Sequence, residues 1–282
     1  MVFGGLERYP FPLAYPARAV GAACDPTDRL ERAGHFIEMT AVTLGVLTLG
    51  WCRAHEVAAG AVDRWERSTG SKGITLGGWV SLLRSARDEL PITSEDPLGR
   101  SIGLAIDGAQ KRLEGFTPAR HQFANGGRPQ EQNEAAADET DHRASTLLDS
   151  IEPISGVRIA VVKDCRSVPE GGFELFLNVL AGTADVVTRA HGHSARAFAE
   201  DAVIAYTLDG LQFAVDLTPY CIYRHCPVCE RDELFYLTKR KRKRSDHFAF
   251  ATGHHLKLRG GQIPAPAQPL AALGMEPPPH AG

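Results

Sequence analysis

The hydrophobic periodicity of this chain changes near residue 156, and that change constrains its fold more than any other feature. From about residue 26 to 155, apolar side chains recur about every three to four residues, the spacing of an amphipathic helix. From Val157 onward they gather in short β-branched and aromatic runs, which are typical of strands. The pattern predicts an α+β protein, with an N-terminal helical bundle followed by a small antiparallel β domain.

The predicted helical bundle covers residues 10–155. Thr117-Pro118 is a good N-cap and first-turn pair, and it predicts a separate short helix from Thr117 to Asn125. Cap residues and periodicity place the other predicted helices from Pro26, from Thr75, over 97–113 and over 130–151.

The predicted β domain covers residues 156–260. Asp209-Gly210 lies between two strand-like runs and is a strong hairpin signal. A run of six basic residues, Lys239 to Arg244, separates two further predicted strands, so we expect this basic run at the tip of a second hairpin. Residues 261–282 are dense in proline and alanine without periodicity, which predicts a flexible tail.

The composition is that of an ordinary globular protein, with 282 residues, 43% hydrophobic, 23% charged and a net charge of −3. The near-neutral balance excludes a protein that binds nucleic acid over its whole surface, but it allows a local basic patch. The longest apolar stretch, Met39 to Cys52, is shorter than the roughly 20 residues that span a bilayer. The N-terminal residues lack the continuous apolar segment of a signal peptide. We therefore expect a cytoplasmic protein with no membrane partner.

A polar motif follows the predicted helix over 97–113. The run RHQFANG carries Arg120, His121 and Asn125. An arginine can hold a phosphate, and a histidine can act as acid or base near neutral pH. The same residues would also suit a polar helix end that meets a glycine turn, and both interpretations stay open.

The helical half resembles the HEPN superfamily over residues 10–165. Arg120-His121 is similar to the opening of that family's arginine-polar-histidine motif, and TLGGWVSLLR resembles a Gly-Trp helix start in such domains. The resemblance implies a helical bundle that pairs with a second copy or docks on a larger protein. Active members of the family are metal-independent endoribonucleases, and degenerate members are adaptors in bacterial defence and signalling.

The motif departs from the family at its last position. Asn125 stands where the resemblance expects the catalytic histidine, and an asparagine side chain does not exchange protons near neutral pH. If the chain is active, the resemblance assigns its catalysis to Arg120, His121 and Asn125. The departure favours a non-catalytic or weakly catalytic adaptor, with a ribonuclease toxin or effector as the alternative.

Two features of the β half suggest a third function, a zinc-stabilised nucleic-acid-binding module. Cys226-Pro-Val-Cys229 has the spacing of half a tetrahedral zinc site, and the segment resembles β-rich tails that follow HEPN-like domains. The remaining ligands would come from Cys221 and His225, or from His254-His255 on a later strand. No other cofactor is predicted, and buried free thiols are the alternative.

The basic run is the second feature. Six consecutive cations repel one another and cannot form a buried strand, but they could contact RNA phosphates. The adjacent predicted strands carry aromatic residues that offer stacking surfaces or a small core, namely Phe235, Tyr236, Phe248 and Phe250. The basic residues are Lys239, Arg240, Lys241, Arg242, Lys243 and Arg244.

Overall fold

The architecture is α+β, as predicted. The computed structural model describes residues 4–57, 59–69, 73–87, 90, 96–123, 130–169, 171–183, 187–241 and 243–264. The helices are α1 (Phe11–Gly21), α2 (Pro26–Ala54), α3 (Ala59–Thr69), α4 (Leu76–Arg87), α5 (Pro97–Phe123) and α6 (Gln130–Ser150), with short 3-10 turns at Leu6–Arg8, Glu152–Gly156 and Gly260–Gln262.

Helix α2 is the central element of the helical layer. The Asp25 carboxylate accepts a hydrogen bond from the Asp28 N–H at 2.9 Å, which caps the helix in front of Pro26. Every residue from Met39 to Cys52 is buried. By length and composition α2 could cross a membrane, but 89% of its most apolar window is buried inside the protein, which is typical of a core helix. Because the apolar residues from Met39 to Cys52 are already buried, they give no reason to expect that a second copy of the chain covers α2.

The predicted helix break at Thr117-Pro118 is wrong. Helix α5 continues through both residues to Phe123. Pro118 lacks an N–H and so forfeits one helical hydrogen bond, but the helix does not have to end there. The Thr-Pro pair is a local signal, and the continuing helix overrides it.

Two antiparallel sheets follow the helices. The first has the order β3-β2-β1-β4-β5 and the second the order β6-β7-β8-β9. The Asp209-Gly210 hairpin is confirmed, because Thr207 pairs with Gly210. The strands are β1 (Val157–Ser167), β2 (Phe173–Leu180), β3 (Thr188–Ser194), β4 (Val203–Thr207), β5 (Gly210–Asp216), β6 (Cys221–His225), β7 (Asp232–Lys241), β8 (Arg244–Ala249) and β9 (His255–Arg259).

The largest hydrophobic core crosses the boundary between the helices and the strands. It joins side chains of the helices to strand residues such as Val157, Val215, Leu234 and Leu237. Two smaller clusters form separately, one around the first sheet and one within the second. The predicted division at residue 155 therefore separates two kinds of secondary structure that share one core. Residues 265–282 of the predicted tail lie outside the described residues.

Candidate functional site

The side chains of the motif that resembles the HEPN family, Arg120 to Asn125, lie outside the described part of the chain. Arg120 and His121 are in the last turns of α5, but side chains from 117 to 133 are not among those described, and Asn125 lies outside the described residues. The catalytic assignment of these three residues therefore stays a prediction.

The basic run lies at a hairpin end, as predicted. Lys241 pairs with Arg244 across the turn, and Lys239 pairs with Asp246 two steps further along the ladder. Lys241 and Lys243 are exposed, whereas Arg242 lies outside the described residues. The hairpin joins the two central strands of the second sheet.

The run does not form one uniformly solvated tip, however. The guanidinium of Arg240 lies 3.7 Å from the carboxylate of Glu66 on α3. The same carboxylate accepts a hydrogen bond from the buried Tyr220 hydroxyl at 2.6 Å. This ion pair ties the hairpin to the helical layer. A bulge after Leu237 shifts the register of β7, and because alternate residues face opposite sides, Arg240 faces away from Lys239 and Lys241.

Three other cations of the run, Lys239, Lys241 and Arg244, share one face of the sheet with cations from the edge strand β9. Residues directly opposite each other in neighbouring strands point to the same side. Lys241, Arg244 and Arg259 form one such row, and Lys239, Asp246 and Lys257 form the next. Asp246 is the single acid in these two rows, and its carboxylate lies 2.9 Å from Arg244 Nε. The two rows therefore carry five basic side chains.

A third row on the same face is aromatic. Tyr236, Phe248 and His255 lie opposite one another across three strands. The Phe248 and His255 rings are 3.8 Å apart between centroids, and the Tyr236 and Phe248 rings are 6.2 Å apart. His255 is exposed, and the other two are half-buried. We call this set of rows the basic-aromatic face: Tyr236, Phe248, His255, Lys239, Lys257, Lys241, Arg244 and Arg259.

Two of the aromatic residues singled out in the sequence belong elsewhere. Phe235 and Phe250 are buried, with 0% and 2% of their surfaces exposed. The three β9 residues of the face were not predicted, because strand β9 has only five residues and its alternation HLKLR is short. That alternation, with basic residues two apart, is the signal that could have identified them.

A cluster of metal-binding side chains lies at the opposite end of the same sheet. The potential ligand atoms of Cys226, Cys229, Glu233 and His254 all lie within 4.8 Å of one another. Cys226 Sγ is 3.4 Å from His254 Nδ1, and Cys229 Sγ is 3.4 Å from Glu233 Oε2. Burial and the Cys226 thiol raise the pKa of the Cys229 thiol, and Glu233 adds to that rise.

The structure places the other two sequence-predicted ligands away from this cluster. Cys221 is buried in the large core, where burial raises the pKa of its thiol. The ring of His225 faces Asp232, with Nδ1 3.4 Å from the carboxylate. Both residues lie on strand β6, before the turn that holds Cys226 and Cys229.

A buried histidine on the opposite face provides a test of the sheet's packing. His247 has no exposed surface, and its Nδ1 has no hydrogen-bond partner. Burial lowers its pKa to about 4, with Arg240 acting in the same direction and Asp246 against it. A histidine whose pKa is lower in the folded state stabilises the fold above its unfolded pKa of about 6.5, and that contribution is lost as the pH falls.

We therefore expect acid to destabilise the wild-type protein more than a His247→Gln variant. Between about pH 7 and about pH 4 the wild type should lose about 3 kcal/mol more of its unfolding free energy. Urea unfolding at a series of pH values measures how steeply the unfolding free energy of each protein changes with pH. Equal slopes for the two proteins would mean that His247 is not held neutral.

No protein-family model, curated protein or solved structure matches the chain.

Proposed function

We propose that this chain binds single-stranded RNA on the basic-aromatic face of its second sheet. The observation that carries the proposal is the alignment of an aromatic row with two basic rows on one face. Proteins that bind single strands combine side chains that contact phosphates with aromatic rings on which bases stack. The protein would act in the cytoplasm as a binding component.

The charges supply affinity without sequence preference. The face carries five basic side chains and one acid, Asp246. Positive charge is therefore concentrated there, although the net charge of the whole chain is −3. Phosphate contacts release counterions, so the logarithm of affinity should fall with the logarithm of salt by about 0.7 per contact. Four or five contacts predict a slope of about −3.

The aromatic row supplies stacking. Phe248 has the His255 ring on one side, tilted by 52°, and Tyr236 on the other. Tyr236 also packs against the large core and the buried Phe250, so Phe248 and His255 offer most of the stacking surface. A stacked base contributes about 1–3 kcal/mol by alanine substitution. Stacking tolerates any base, which again favours weak sequence preference.

The HEPN-like adaptor and ribonuclease hypotheses are compatible with this proposal, since RNA would be the ligand in one case and the substrate in the other. They rest on Arg120, His121 and Asn125. A homodimer or a larger partner stays part of the same hypothesis. Cleavage of RNA without added metal, lost in an Arg120→Ala variant, would favour the ribonuclease.

A titration of fluorescent single-stranded RNA at several salt concentrations tests the proposed function. The Lys257→Gln/Arg259→Gln variant should bind about tenfold more weakly at 0.1 M salt, with a salt slope about 1 unit shallower. Phe248→Ala should lose about 5- to 100-fold in affinity with an unchanged slope, because a base stack carries no charge.

A charge-matched control distinguishes this face from general attraction. Lys111→Gln/Arg112→Gln removes the same two charges from an exposed part of α5. This variant should bind as the wild type does. Equal losses in the two double variants, or no binding by the wild type, would overturn the proposed function. A matching single-stranded DNA titration shows whether the 2′-hydroxyl contributes.

A further inference from the structure

We infer that Cys226, Cys229, Glu233 and His254 bind one zinc ion. Glu233 was not among the ligands considered from the sequence, and His254, which was one of the alternatives there, is 28 residues from Cys226. The inference does not depend on RNA binding, because it concerns the other end of the sheet.

The distances between the ligand atoms fit a tetrahedral ion. Ligands at about 2.0–2.3 Å from a tetrahedral zinc are separated from one another by about 3.3–3.8 Å. Three of the six separations fall in this range, at 3.4 Å for Cys226 to His254, 3.4 Å for Cys229 to Glu233 and 3.7 Å for His254 to Glu233. The other three are within 4.8 Å. A single ion could therefore contact these atoms with little movement of the backbone.

The backbone holds the two cysteines in a defined turn. The Cys226 N–H donates to the Arg231 carbonyl at 2.8 Å, and the Glu230 N–H donates to the Cys226 carbonyl at 2.9 Å. Glu230 adopts a φ of 55°, a left-handed conformation that costs free energy in a residue other than glycine. The turn thus holds both thiols at the same end of the sheet as His254.

A second layer of hydrogen bonds orients the other two ligands. Thr252 donates its hydroxyl proton to Glu233 Oε2 at 3.0 Å, and its oxygen accepts the His254 N–H at 3.3 Å. Residues in this position fix the direction of metal ligands. Glu233 and Thr252 also line a cavity of about 200 Å³.

The chemistry of the donors selects the metal and its role. Two thiolates, an imidazole and a carboxylate suit zinc, whereas magnesium and calcium require oxygen ligands. Four protein ligands fill a tetrahedral shell, which is typical of a structural site. The ion would join the turn between β6 and β7 to the turn between β8 and β9.

Metal analysis of the full-length protein tests the inference. The protein is loaded with zinc sulfate, desalted and analysed by mass spectrometry, and we expect one zinc per chain. Cys226→Ser/Cys229→Ser should hold none, and Glu233→Ala and His254→Ala should bind measurably more weakly. Thr252→Ala should keep the stoichiometry but lose about 10- to 100-fold in affinity against a competing chelator.

Two matched variants control for other cysteines and histidines. Cys165→Ser and His225→Gln change residues outside the cluster and should retain one zinc. Cobalt loading adds a readout that needs no folding assay, since the thiolate-to-cobalt absorption should be present in both controls and absent in the double cysteine variant. Wild-type protein that holds no more zinc than the double cysteine variant would overturn the inference, whether or not it binds RNA.

Discussion

Replacing Asp96 with alanine is expected to destabilise the protein by about 3–5 kcal/mol, because it leaves buried donors without a partner. The carboxylate accepts the Trp51 indole N–H at 2.5 Å and the Leu98 N–H at 2.8 Å, and His55 Nε2 lies 3.2 Å away. Burial acts to raise its pKa, but hydrogen bonds from His55, Trp51 and two backbone N–H groups outweigh it, so the pKa is lowered.

The environment of Asp96 joins two helices. Its side chain caps the start of α5, and its partners Trp51 and His55 lie at the end of α2, with their rings stacked at 4.5 Å. Because the pKa is lowered by folding, the stabilisation is present at neutral pH and is lost as the pH falls below the ordinary aspartate range.

Urea unfolding followed by circular dichroism measures the effect. Asp96→Asn is the matched control, because it keeps the shape and one acceptor oxygen, and it should cost clearly less than Asp96→Ala. A loss below about 1 kcal/mol in Asp96→Ala would contradict the proposed role of this carboxylate.

Removing the proposed zinc ion should have the second large effect. Structural zinc binding is largely folding free energy, so a strong chelator or the Cys226→Ser substitution should loosen the second sheet. Hydrogen exchange of the zinc-loaded protein measures this region by region. We expect amide protection in β6 and β9 to fall by about 100-fold, while α2 in the large core keeps its protection.

The cysteine control applies here as well. Cys165→Ser, on β1 of the other sheet, should leave the exchange of β6 and β9 unchanged. Unchanged exchange in Cys226→Ser would mean that the turn folds without a metal and that zinc, if bound, contributes nothing to the sheet.

The change of periodicity near residue 156 was sufficient to predict the α+β class. It works because apolar side chains bury one face of each element, and that requirement is visible in the sequence. Helix α1 was not predicted, since it contains Pro12 and Pro16. Pro12 lies in the first turn, where its missing N–H has no helical partner, and buried side chains of α1 offset the bond lost at Pro16.

Strand β3 is an element that sequence periodicity does not predict. Its sequence, TRAHGHS, has no apolar alternation, and its place at the edge comes from pairing with β2 along seven residues. Backbone hydrogen bonds of that kind leave no pattern in the side chains. Sequence periodicity therefore predicts buried faces and misses elements held by their neighbours.

The candidate site was predicted in the same partial way. The Cys226 and Cys229 pair and the basic hairpin are contiguous in sequence, so both could be identified. Glu233 lies on strand β7 and His254 in the turn before β9, and only the strand pairing brings them together. The basic-aromatic face also depends on register, because the bulge in β7 decides that Lys239 points to one side and Arg240 to the other.

Photo-crosslinking tests RNA binding on the basic-aromatic face most directly. The full-length protein is irradiated with single-stranded RNA that contains 4-thiouridine, and crosslinked peptides are identified by mass spectrometry. We expect crosslinks at Tyr236, Phe248 or His255, and a lower yield of them when Lys257 and Arg259 are replaced by glutamine. Crosslinks confined to the helices, or crosslinks at these residues that persist unchanged in the charge variant, would contradict RNA binding on this face.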